Sequence, residues 1–114
     1  MKKSNGVTIL IIIAILIFAF VILTKPTSGV SGETAKCIAE KSILYVQKGC
    51  VHCANQEKMF GSSYKYLNTI DCFYKPEMCS AITGTPTWVI NGQSYVGIQS
   101  IERLKQLTEC QDLE

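Results

Sequence analysis

Residues 43–61 read Ile43-Leu44-Tyr45-Val46-Gln47-Lys48-Gly49-Cys50-Val51-His52-Cys53-Ala54-Asn55-Gln56-Glu57-Lys58-Met59-Phe60-Gly61. The unbroken apolar run 43–46 has the length and composition of a buried strand. Lys48-Gly49 interrupts it. From Cys50 to Phe60 the pattern turns helical, with Cys53, Gln56, Met59 and Phe60 at helical spacings, and Gly61 suits the C-terminal stop. Two cysteines separated by two residues therefore fall at a strand-to-helix junction, the setting of a thiol redox motif. Cys50 would sit at the helix N-terminus, where unpaired N–H groups and the helix dipole favour a thiolate. His52, protonated or donating a hydrogen bond, would favour it further. A stabilised thiolate leaves readily, which makes the disulfide more oxidising. Cys53, one turn in and less exposed, would resolve a mixed disulfide. The catalytic candidates are thus Cys50, Cys53 and His52. Two blander readings stay open at this point. The pair could be a structural bridge with His52 as a solvated loop residue. It could also be half of a zinc site completed by Cys72, Cys79 or His52, although structural zinc favours a second close pair and the gap from Cys72 to Cys79 fits that badly.

Working outward, residues 33–41 suit a short helix, 66–71 a second strand, and 76–82 a helical turn at best. Thr87-Trp88-Val89-Ile90, Asn91-Gly92 and Gln93-Ser94-Tyr95-Val96 form a hairpin signal, because Asn-Gly tolerates the positive φ angles of a two-residue turn. Ser100 suits a helix cap, and Ile101, Leu104 and Leu107 share one apolar face. The predicted order gives an α/β domain, a mixed four-stranded sheet with helices on both faces. Pro86 opens the third strand, well downstream of the cysteine pair. An X-Pro bond can be cis. A cis Pro86 beside the thiols would turn the main chain of Thr85 outward to pair with an incoming peptide, and this makes Thr85 and Pro86 the substrate-binding candidates. Tyr64, Tyr66 and Trp88 read as core or rim aromatics, with Trp88 also able to flank a peptide groove.

The N-terminal segment sets the compartment. No charge occurs between Ser4 and Thr24, and residues 7–23 are almost wholly aliphatic or aromatic. As a helix this run spans about 26 Å, at the short end of the transmembrane range. The run is long for a signal-peptide core and no Ala-X-Ala cleavage pattern follows it, so an uncleaved anchor is expected, with a signal cleaved near Thr27-Ser28-Gly29 or a buried core helix as the alternatives. Lys2 and Lys3 precede it and Lys25 follows, which keeps the N-terminus cytoplasmic and the remainder outside. The expected division is an anchor over 1–24, a tether over 25–32 rich in Pro, Gly and Ser, and a domain over 33–114. A single-pass cell-membrane protein facing the extracytoplasmic side results, in contact with the lipid bilayer.

The 114-residue chain carries a net charge of +2, and Lys2 and Lys3 account for it. Beyond them the charges balance, with one arginine, so nucleic-acid binding is not expected. High hydrophobicity and low charge exclude disorder. Six cysteines all follow the apolar run, and outside the cytoplasm an even set of cysteines suggests disulfides. Cys72 and Cys79 are expected to pair, closing a short loop worth roughly 2.5 kcal/mol in the chain-entropy model. A second redox couple is the alternative for them. Cys37 and Cys110, on the first and last helices of the domain, form a possible second structural disulfide, or else remain as free buried thiols.

The order of elements, Cys50-Val51-His52-Cys53, and Thr85-Pro86 before a hairpin resemble the thioredoxin superfamily. The Cys-X-His-Cys form is similar to its bacterial disulfide-oxidase branch. Residues 55–61, Asp71-Cys72, Cys79, residues 85–88, Ile90-Asn91-Gly92, Tyr95, Gly97 and Gln99 resemble the thioredoxin-like domains found with vitamin K epoxide reductase homologues. The resemblance covers residues 43–107 or so. It implies a thiol–disulfide oxidoreductase that oxidises exported proteins and passes electrons to that membrane enzyme, with no cofactor and no metal. It further implies Cys50 as the exchanging cysteine, Cys53 as its partner and Pro86 as cis. The chain departs from the pattern at Gly49, where an aromatic is common, and at Val51, where proline is. The first strand also lacks the carboxylate with which reductive thioredoxins move protons, which favours oxidase duty. A reductase or isomerase of the same fold is the nearest alternative, and a non-enzymatic tethered binding module with a structural disulfide is the more distant one.

Overall fold

The structure is a computed structural model, and it describes residues 2–23 and 29–111. Residues 25–28 of the expected tether therefore lie outside the described residues. The first helix, α1 (Lys2–Leu23), opens on Lys2-Lys3-Ser4-Asn5 and is apolar on all sides from Val7 onward. Its segment Asn5–Leu23 is long and apolar enough to cross a membrane, and residues 5–23 are all exposed. A helix with no polar face finds its natural surroundings in a protein core or a bilayer.

The remaining elements are α2 (Gly32–Glu40), β1 (Ser42–Val46), α3 (Val51–Phe60), a 3₁₀ segment (Gly61–Tyr66), β2 (Thr69–Asp71), a 3₁₀ turn (Pro76–Met78), β3 (Thr87–Ile90), β4 (Gln93–Val96) and α4 (Ile101–Thr108). Side chains cap the helices as the local chemistry demands. The Ser31 hydroxyl accepts from the Thr34 N–H (3.3 Å) and the Ser100 hydroxyl from the Arg103 N–H (3.1 Å). The strands form one sheet in the order β2-β1-β3-β4. β1 runs parallel to β2 and antiparallel to β3, and β3 and β4 close the hairpin. Its turn is made by Asn91 (φ 52°) and Gly92 (φ 77°). These are the two positive φ angles that the primed turn requires. This mixed four-stranded sheet flanked by helices is a thioredoxin-like fold.

Helices flank the sheet unequally. The register aligns Ser42 with Ile90 and Leu44 with Trp88, so these four residues share a face with Val46, and all five are buried. On the opposite face Ile43, Tyr45 and Val89 are only half-buried, and Thr87 at the start of β3 is the buried exception. The segment 76–82 folds as a single 3₁₀ turn, too short to cover that face. The core therefore gathers on one side, where Ala35, Ile38, Phe60, Leu67 and Leu104 join the sheet residues.

Two sequence expectations need correction. β2 begins at Thr69, not residue 66, because 61–66 are taken by the 3₁₀ segment. The Ser63 hydroxyl donates to the Val30 carbonyl and Tyr64 packs against the core, so tertiary contacts hold residues up to Tyr66 out of the strand. Trp88 is fully buried against Phe60, ring centroids 5.8 Å apart, and cannot flank a surface groove.

Candidate active site at the Cys50–Cys53 pair

The parallel strands β1 and β2 end at the same edge of the sheet, and the residues that follow them build the site. Beyond β1 the chain turns through Lys48 and Gly49. Gly49 has φ 85°, a left-handed conformation that glycine adopts without strain. Beyond β2, Asp71 holds that turn in place, its Oδ1 accepting the Lys48 N–H (3.2 Å) and the Phe73 N–H (2.9 Å). The Cys72 N–H donates to the Val46 carbonyl (2.8 Å), which extends the pairing by one residue.

Cys50 is the N-cap of α3, and its sulfur accepts the Cys53 N–H at 3.1 Å. It is bonded to Cys53, with Cα atoms 5.2 Å apart. Cys50 is half-buried and Cys53 is 6% exposed, so the two sulfurs differ in access. His52 is exposed in the first turn. Facing the pair, the Thr85–Pro86 bond is cis and Pro86 is buried. The Thr85 carbonyl oxygen lies 3.6 Å from the Cys50 sulfur. In the disulfide that sulfur has no proton to give; in the dithiol the Cys50 S–H can donate to Thr85. The Thr87 hydroxyl ties back to the Gly84 carbonyl (2.6 Å), and the Gly97 N–H donates to the Pro86 carbonyl (2.7 Å), so the strand opening is held on both sides.

Two other disulfides are present. Cys72–Cys79 closes the loop after β2, and Cys37–Cys110 joins α2 to the residue beyond the C-cap of α4. Among the described residues no group of three or more His, Cys, Asp or Glu could hold a metal ion.

Three features of the site were not singled out from sequence. A cavity of about 260 Å³ behind the disulfide is lined by Cys50, Cys53, Glu57, Tyr64 and Asp71 among others. Its carboxylates come from α3 and the end of β2, not from the first strand. Burial pushes the Tyr64 phenol above its ordinary value, and Glu57 and Asp71 push the same way. Asp71 itself joins the β1–α3 turn to the loop after β2. Gln56 is fully buried beneath the pair and bonds Trp88 and Gln99. A polar residue on the buried face of α3, one turn past Cys53, is the signal that marks Gln56 in the sequence.

No protein-family model matches the chain. The thiol-disulfide oxidoreductase LTO1 of Arabidopsis thaliana is 37% identical over 76 residues, covering 57% of this chain and 20% of that protein. The chain thus aligns with about a fifth of that relative's length. The oxidised thioredoxin of Plasmodium falciparum aligns over 73% of this chain and 96% of its own, with TM-score 0.41 and 20% identity.

Proposed function

We propose that this chain is a membrane-anchored thiol–disulfide oxidoreductase, in which Cys50 and Cys53 oxidise cysteine pairs of exported proteins. The observation that carries this is the placement of the Cys50 sulfur. It is half-exposed at the tip of α3, accepts the Cys53 N–H, and faces Thr85 beside cis Pro86. The likeness to a segment of an oxidoreductase supports the same reading.

The chemistry balances within the two proteins. A substrate thiolate attacks the Cys50 sulfur; the Cys50–Cys53 bond breaks and Cys53 leaves as a thiolate that takes up a proton. The second substrate thiolate attacks the substrate sulfur of the mixed disulfide and releases Cys50. Two electrons have moved, the substrate has gained a disulfide, and the site is a dithiol. Backbone N–H groups at the start of α3 stabilise each departing charge on Cys50. His52, in the same turn, adds a donor when protonated. Thr85 offers its main chain to the substrate peptide, and Cys72–Cys79 and Cys37–Cys110 are structural.

Regeneration needs an oxidant, and we assign it to a membrane vitamin K epoxide reductase-like enzyme. Residues 1–24 anchor the chain in the cell membrane with the N-terminus cytoplasmic, 25–32 tether it, and 33–114 are the extracytoplasmic thioredoxin-like domain. No other cofactor is required. Expression of Cys53→Ala in cells tests the partners. Mixed disulfides with exported proteins and with one polytopic membrane protein are expected. A folded variant that captures neither overturns the assignment.

A further inference from the structure

Gln56 is fully buried, and its amide uses every bonding position it has. Oε1 accepts from Trp88 Nε1 (3.0 Å) and from the Gln99 N–H (2.8 Å). Nε2 donates to the Gln99 carbonyl (3.0 Å) and contacts Met59 Sδ (3.5 Å). The side chain thereby reads both main-chain groups of Gln99, as a neighbouring strand would. An apolar side chain of similar shape could fill the same space without the desolvation penalty of an amide. What the amide adds is the set of segments it joins. These are α3, which carries both cysteines; β3, which starts directly after Pro86; and the loop 97–99 between β4 and α4.

The connections close a ring. The Cys50 sulfur faces the Thr85 carbonyl (3.6 Å), and Thr85 is bonded to Pro86. The Pro86 carbonyl accepts the Gly97 N–H (2.7 Å), and Gln99 Nε2 donates to the Gly97 carbonyl (3.3 Å). Gln99 is held by Gln56, and α3 leads back from Gln56 to Cys50. Gln56 is the only member of this ring that ties the cysteine-bearing helix to the 97–99 loop by side-chain bonds among the described residues.

We propose that Gln56 is a positioning residue, whose amide fixes α3 relative to the Thr85–Pro86 edge and the 97–99 loop so that a peptide thiol is presented to Cys50. The inference rests on the function proposed above and extends it to protein substrates in particular. A small thiol needs only the exposed sulfur. A peptide needs the sulfur and the main-chain edge in one fixed relationship, and loosening the ring penalises the peptide alone.

The test uses the oxidised full chain in detergent micelles, at a temperature where each variant is fully folded. Reduction of the Cys50–Cys53 bond is timed with dithiothreitol and with a reduced, unfolded cysteine-containing protein. Gln56→Met keeps the volume and removes the hydrogen bonds. Its rate with the unfolded protein should fall about tenfold, through a raised half-saturating concentration with the limiting single-turnover rate retained, which is the loss of one to two net hydrogen bonds. Its rate with dithiothreitol should stay within about twofold, less than a single hydrogen bond is worth. Trp88→Phe removes one bond of the network and keeps a ring in the core. It should show the same selectivity with a smaller loss, and it carries the test if Gln56→Met does not fold. Equal losses with both thiols, or no loss with either, overturn the inference and leave a core amide. If the unsubstituted protein oxidises neither thiol, the proposed function itself fails; if it oxidises both and the variants follow it on both, only the role of Gln56 fails.

Discussion

The carbonyl oxygen of Thr85 stands 3.6 Å from the sulfur of Cys50, across 35 residues of sequence. On its other side the same sulfur accepts the Cys53 N–H at 3.1 Å. The two dipoles act in opposite senses. The N–H favours negative charge on Cys50, whereas the carbonyl favours an S–H or a disulfide. A sulfur held between them has reason to exist in both states, as an exchanging cysteine must.

Asp71 fixes the turn that delivers Cys50, because one carboxylate oxygen accepts from both Lys48 and Phe73. Both bonds lie at the surface, where solvent competes. Asp71→Ala should therefore lower stability by only about 1 kcal/mol, and Asp71→Asn, which keeps an acceptor, by less. Urea unfolding midpoints give the comparison. Equal losses in the two variants would mean that the acceptor is not what matters.

The two disulfides away from the Cys50–Cys53 pair close loops of very different length, with sequence separations of 73 and 7. In the chain-entropy model Cys37–Cys110 contributes roughly 4.4 kcal/mol and Cys72–Cys79 roughly 2.5. Denaturant unfolding of the paired alanine variants should rank them in that order. The reverse order would show that native packing of the short loop outweighs chain entropy.

Tyr64 introduces an alkaline sensitivity. Its phenol is raised above 10.0 by burial first, then by Glu57 and Asp71. The folded state holds this proton more tightly than the unfolded chain does. The associated stability is fully present below about pH 10 and is lost as the pH rises through the folded value. Tyr64→Phe has no such proton, so its stability should fall less steeply in that alkaline range. Identical slopes for the two proteins would contradict the shift.

The exposed apolar surface of α1 requires a bilayer if the chain is anchored as proposed. Ile12→Lys with Leu16→Lys should reduce insertion by about 5–7 kcal/mol, on the scale for lysine at a helix centre. The wild-type chain should stay in the membrane pellet after an alkaline carbonate wash, and the double variant should not. Retention of both would point to a different means of attachment.

Much of this arrangement is legible from local chemistry. The start of α3 at Cys50, its stop at Gly61 and the turn at Asn91-Gly92 each follow from residues adjacent in sequence. A polar residue on the apolar face of α3 marks Gln56 as unusual, but the partners of Gln56 and of Asp71 are not legible, because they lie far along the chain. Gln99 is 43 residues from Gln56 and Lys48 is 23 from Asp71. The start of β2 is misread for a related reason. Tyr66 closes the 3₁₀ segment instead of opening the strand, because burial of Ser63 and its bond to Val30, 33 residues away, hold residues 61–66 in that coil. The uneven cover of the sheet departs from the expected helices on both faces, although the reading of 76–82 as a helical turn at best already points to it.

The asymmetry between the two cysteines offers the most direct measurement. Purified Cys53→Ala and Cys50→Ala, each folded, are mixed with an unfolded protein carrying one cysteine activated as a mixed disulfide with a small thiol. Cys53→Ala should form the protein–protein disulfide rapidly through Cys50, and Cys50→Ala should form it slowly, because Cys53 is 6% exposed. Equal rates, or faster capture through Cys53, would contradict the assignment of Cys50 as the exchanging sulfur.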